Sequence, residues 1–125
     1  MRPIVKPLAS KHHAEIARIT DQACARFPDL GAMDAALQRV PTRDEVAHLA
    51  FAWAKHVLTL GGWGWWSVSS DGKLNPALVS WNKAWWLEPV DRMLTLASEK
   101  RAPSVLLETV RGLGNGEAGA LKEIL

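Results

Sequence analysis

The sequence predicts a mainly α fold: a compact bundle of about five helices, with a small Trp-rich β-hairpin or extended insertion at about residues 63–81. Three observations lead there. Apolar residues recur at helical spacing on both sides of that insertion. A Thr-x-x-Glu capping box, Thr42 and Glu45, opens the longest apolar-faced stretch. Between Gly61 and Ser80 the pattern changes to tryptophan and valine, which favour strands.

Each element follows from local chemistry. Pro3 and Pro7 block a helix in residues 1–9, which read as an extended leader. Ser10 is the expected N-cap of a first helix, whose Ile16, Ile19, Ala23 and Phe27 share a face before Pro28 ends it. Asp29 to Gly31 reads as a turn. Met33, Ala36, Leu37 and Val40 then mark a short second helix stopped by Pro41. In the third helix the Thr42 hydroxyl accepts from the Glu45 amide, and the Glu45 carboxylate reaches back to the Thr42 amide. Val46, Leu49, Ala50, Trp53, Val57 and Leu60 form its apolar stripe, and Gly61 and Gly62 stop it.

Trp63 to Val68 forms the first arm of the hairpin, and Asp71-Gly72 supplies its turn. Leu74 to Trp81 returns, weakened as a strand by Pro76. A hairpin alone is marginally stable, so it should pack its indoles on the helices. Asn82 and Lys83 read as a connection. Pro89 sits where a helix start tolerates proline, ahead of Val90, Met93, Leu94 and Ala97. Pro103 begins a last helix with Leu106, Leu107 and Val110 inward. The expected organisation is a leader at 1–9, one helical domain at 10–111 and a Gly-rich C-terminal tail at 112–125, with no internal repeat.

Size and charge narrow the function classes. A 125-residue chain with 48% hydrophobic residues can bury a core without disulfide or metal. The net charge of +2, from 15 Lys and Arg against 13 Asp and Glu, argues against nucleic acid as the main partner. The basic residues near the start (Arg2, Lys6, Lys11, His12, His13) read as a solvated arm. Cys24 is the single cysteine, so no disulfide forms within the chain. No signal peptide and no run of ~20 apolar residues is visible. A cytoplasmic location and no membrane contact are expected.

The motifs of chemistry are weak. Gly112-Leu113-Gly114-Asn115-Gly116 looks like a phosphate loop only in composition, because it follows a helix where such a loop follows a strand. His48 and His56 stand two helical turns apart, and adjacent His12 and His13 point to different sides, so no metal site is expected. Cys24 has no partner suggested by spacing. Glu88 and Asp91 lie near Trp85 and Trp86, where desolvation raises a carboxyl pKa, but a role at a helix N-terminus explains them more simply. No catalytic residue and no cofactor are expected.

The tryptophans are the anomaly. There are 7, against 2 phenylalanines and no tyrosine. Trp63, Trp65, Trp66, Trp81, Trp85 and Trp86 crowd one segment, with Trp53 on the third helix available to face them. Strand alternation sends Trp63 and Trp65 to one face and Trp66 to the other, and adjacent Trp85 and Trp86 also diverge. Some indoles must therefore meet solvent or a partner. These six residues are the expected interaction surface of a small non-catalytic, protein-binding module of a regulatory, inhibitor or immunity-like kind, comparable in size with small bacterial regulatory proteins. Its partner is another protein or a second copy in a homodimer. A small-molecule binder or enzyme with a Trp-lined apolar cleft is the second expectation. A weak nucleic-acid binder using stacking indoles is the third.

Overall fold

Residues 4–39, 41–70, 73–113 and 116–124 are described by a computed structural model of the chain. In chain order they form β1 (Ile4–Pro7), α1 (Ser10–Arg26), α2 (Leu30–Gln38), α3 (Arg43–Thr59), β2 (Trp63–Ser70), β3 (Lys73–Ser80), β4 (Trp85–Leu87), α4 (Pro89–Glu99), α5 (Pro103–Arg111) and β5 (Lys122–Glu123). The strands make one sheet in the order β1-β2-β3-β4-β5. All pairs are antiparallel except β4 with β5, which are parallel.

This overturns the expected mainly α bundle with a small hairpin: the fold is α+β, with five helices on a five-stranded mixed sheet among the described residues. The physical reason is the marginal stability of a lone hairpin. β2 and β3 do form it, paired from Trp63↔Ser80 to Ser70↔Lys73. They then gain neighbours on both sides. β1 comes from the segment expected as a leader, and β5 from the segment expected as a tail. The amides of Lys122 and Ile124 donate to the carbonyls of Ala84 and Trp86, each at 2.9 Å. Pro76 is accommodated within β3 because β4 pairs only with Leu78 and Val79, which leaves the far side of β3 open at Pro76.

The helices follow the local signals closely. Thr42 and Glu45 close the capping box at 3.1 and 3.2 Å, and Gly61 and Gly62 take φ of 81° and 83° at the end of α3. Ser10 is the first helical residue and not a side-chain cap; Ala9 precedes it. The expected turn at Asp29 is instead the N-cap of α2, its carboxylate accepting from the Ala32 amide at 2.8 Å. Val40, Asp71, Gly72, Gly114 and Asn115, with Arg2 and Pro3, lie outside the described residues.

α3 runs through the centre. Of its expected stripe, Val46, Leu49, Ala50, Trp53 and Val57 are buried, as are Ala52 and Ala54, whereas Leu60, the C-cap just past the last helical turn, is exposed. These alanines let neighbouring elements approach closely; α3 packs on α1, α4, α5 and β2. The sheet has two apolar faces. Trp63, Trp65, Leu78, Trp85 and Leu87 join the helical core. Trp66, Val68, Ala77, Val79 and Trp86 alternate to the opposite face, where they form a second cluster with Val5 and Leu121 and no helical residue.

Candidate functional site

The site grows from one serine. Ser80 ends β3 and is buried. Its hydroxyl donates to Asn82 Oδ1 at 2.8 Å and accepts from the amides of Ala84 and Trp85 at 3.1 and 3.0 Å. The Lys83 amide donates to the Ser80 carbonyl at 2.8 Å, and Lys83 takes a left-handed φ of 58° to complete the turn. The C-terminal segment holds the turn from outside. The Gly119 amide donates to the Asn82 carbonyl at 3.0 Å, and the Asn82 side-chain amide donates to the Gly116 carbonyl at 3.3 Å. On the inner side the Trp81 amide donates to the Gly62 carbonyl at 2.9 Å.

Trp81 is presented by that turn with 77% of its surface exposed. Beside it lies a cleft of about 440 Å³, walled by Trp63, Trp81 and Trp85, with Leu60 at one side and Asn82 and Arg111 adding polar edges. The Arg111 guanidinium also pairs with Glu108 at 2.8 Å. Gly116 is required here. A Cβ on it would stand 2.8 Å from the Trp85 indole nitrogen and 2.9 Å from the Ala84 Cβ, closer than side chains tolerate.

The six expected tryptophans therefore separate. Trp63, Trp81 and Trp85 come together around this cleft. Trp65 faces the helices, its ring centroid 5.7 Å from that of Phe51 in a tilted pair, and borders a groove between α1 and α3. Trp66 is half-buried on the other face, with the Lys83 ammonium 5.3 Å from its ring centroid. Trp86 is 7% exposed and roofs Ala77 and Val79 as part of the outer cluster. Trp53 is fully buried in the helical core, against which Trp63, Trp65 and Trp85 also pack, and its indole N–H donates to the Pro103 carbonyl at 3.0 Å. Ser80, Asn82 and Gly116 carry the site without having been expected. Only Asn82, in a polar break between tryptophans, left a local trace as a connection.

Two carboxylates depart from the ordinary glutamate value. Burial pushes Glu88 up, helped by the negative charges of Asp91 and Glu123, while Arg92 opposes. Glu45 is held down by its hydrogen bonds to the Thr42 backbone and side chain. Neither reaches the tryptophan cleft. Among the described residues no three His, Cys, Asp or Glu side chains converge as metal ligands would. His48 sits instead on Asp44 at 3.5 Å, and Cys24 is half-buried against the core. No described helix is long and apolar enough to cross a membrane. Comparison of the chain with protein-family models, with curated proteins and with solved structures finds no match in any of the three.

Proposed function

We propose that this protein is a small interaction module, regulatory, inhibitory or immunity-like, that anchors a partner protein on Trp81 and the adjoining Trp63–Trp85 cleft. The observation that carries the reading is the exposed indole on a hydrogen-bonded turn. A single exposed apolar residue is ordinary on a protein surface. Trp81 differs because the turn beneath it is held by bonds on three sides, so little backbone freedom is lost when a partner covers it. Burying such a side chain fully yields roughly 1.5–3 kcal/mol. Aromatic anchors beside a pocket are the usual shape of an interface hot spot.

A protein is favoured over a small ligand because Trp81, although it lines the cleft, keeps 77% of its surface exposed, which leaves most of the indole to a broad partner surface. The even charge balance favours a protein over nucleic acid. A second copy of the chain is the homodimeric form of the same reading, and a cytoplasmic setting belongs to it. The proposed anchor uses three of the six tryptophans; Trp65 packs on the helical core, and Trp66 and Trp86 lie in the outer cluster.

The test is Trp81→Ala, compared with Val105→Ala on the exposed face of α5 as a control. Sedimentation equilibrium and affinity capture are run on both. Trp81→Ala is expected to weaken self-association or partner retention by about 2 kcal/mol or more, about thirty-fold, with an unchanged melting temperature. Val105→Ala should retain wild-type behaviour. Equal retention by both variants and the wild type contradicts the proposal.

A further inference from the structure

A second concavity lies between the first half of α1 and the β1–β3 part of the sheet, and shares no lining residue with the tryptophan cleft. Its origin is legible in the register. Helix-facing positions pair Trp65 with Leu78, and then Ser67 with Pro76. Two large side chains are followed by two short ones, so α1 passes over Ser67 and Pro76 without filling the space. About 540 Å³ remains, within the roughly 300–1,000 Å³ of small-ligand clefts.

The walls are apolar. Ile16 and Phe51 form a buried floor, Ile19 and Leu8 stand half-buried at the sides, and Leu74 overhangs the rim with 64% of its surface exposed. The mouth is polar and carries Lys6, His12, Glu15 and Asn75. Among the described residues Lys6 and Glu15 form no ion pair within 4.0 Å, and the Asn75 amide makes no side-chain hydrogen bond. The Ser67 hydroxyl, which also lines the cleft, is already engaged, donating to the Lys6 carbonyl at 3.2 Å. A cation and an amide donor thus edge an apolar floor, while Glu15 on the α1 side disfavours a second negative charge on any occupant.

We propose that this cleft binds a monoanionic amphiphile, a small carboxylate with a linear or flat apolar body. The carboxylate would pair with Lys6, with Asn75 and His12 as further donors, and the body would cover Phe51, Ile16 and Leu74. A carboxylate–ammonium pair at the edge of an apolar cleft selects by sign of charge, and the apolar contact supplies the affinity.

Isothermal titration calorimetry tests it with two probes of equal chain length, decanoate and decyltrimethylammonium, on the full chain. Wild type is expected to bind decanoate with a dissociation constant below about 1 mM. It should prefer decanoate over the cationic probe by at least about ten-fold. Lys6→Glu should abolish that preference, and Leu74→Asp should weaken both probes. Both residues are exposed, so melting temperatures should stay at the wild-type value. Trp81→Ala should leave decanoate binding unchanged, which separates this site from the protein-binding surface. No heat at about 1 mM decanoate overturns the proposal. So does equal binding of the two probes to wild type, or decanoate binding that neither Lys6→Glu nor Leu74→Asp alters.

Discussion

Asp34 reaches from α2 to the first turn of α5. Pro103 supplies no amide there, Ala102 provides no side-chain cap, and the Val105 amide already donates to the Ala102 carbonyl. The remaining donor is the Ser104 amide, which donates to Asp34 Oδ1 at 3.0 Å while the Ser104 hydroxyl donates to Oδ2 at 2.6 Å. One carboxylate thus caps a helix 70 positions away in sequence and places its charge at the positive end of the dipole. Asp34→Ala is expected to cost about 1–2 kcal/mol, measured by denaturant unfolding. Glu88 makes a prediction of opposite sign. Its folded-state pKa lies above the ordinary 4.5, so the native state holds its proton to higher pH than the unfolded chain does. Stability therefore falls as pH rises from 4.5 through the raised value. Glu88→Gln should stabilise the protein at neutral pH, and the gain should shrink as the pH is lowered toward 4.5 in a series of thermal melts. At this scale the sequence is legible where partners are local. Thr42 with Glu45 is read directly from its spacing, whereas the Asp34–Ser104 cap requires the packed helices.

The elements divide along the same line. α1 to α5 announce themselves by apolar periodicity and by Pro89, Pro103, Gly61 and Gly62. β2 and β3 are legible from Trp63, Trp65, Val68 and their hairpin spacing. β1, β4 and β5 are not. β1 has four residues, and its partner Val68 lies far along the chain from Val5. β4 is the three-residue run Trp85-Trp86-Leu87, too short to show alternation, and β5 has two residues beyond a glycine-rich stretch that reads as a linker. Only pairing makes these segments strands. Gly116 is the element-scale test. In Gly116→Ala the added methyl meets the Trp85 indole and Ala84, so the segment that follows should separate from β4. Hydrogen exchange should then show lost protection at the amides of Leu121, Lys122 and Ile124, with α3 unaffected. Unaltered protection at those three amides would mean that the indole moves aside and that Gly116 is not required.

At the scale of the whole molecule, the sheet decides which tryptophans are available. The excess of indoles was legible in the sequence, and so was their alternation; their division among a helical core, an outer cluster and one exposed turn was not, because it depends on β4 and β5. An outer face without a helix layer must roof itself, and Trp66 and Trp86 do so over Ala77 and Val79. Trp81 remains as the most exposed of the described indoles, 77% open, with its ring nitrogen near Gly64 of β2. The direct measurement is fluorine NMR of protein labelled with 5-fluorotryptophan, in which each of the 7 tryptophans gives its own resonance, assigned by single substitution. Addition of the captured partner, or a rise in protein concentration if the chain self-associates, should shift Trp81 most, then Trp63 and Trp85, and leave Trp53 and Trp86 in place. Largest shifts at Trp66 and Trp86, with Trp81 unmoved, would contradict the account.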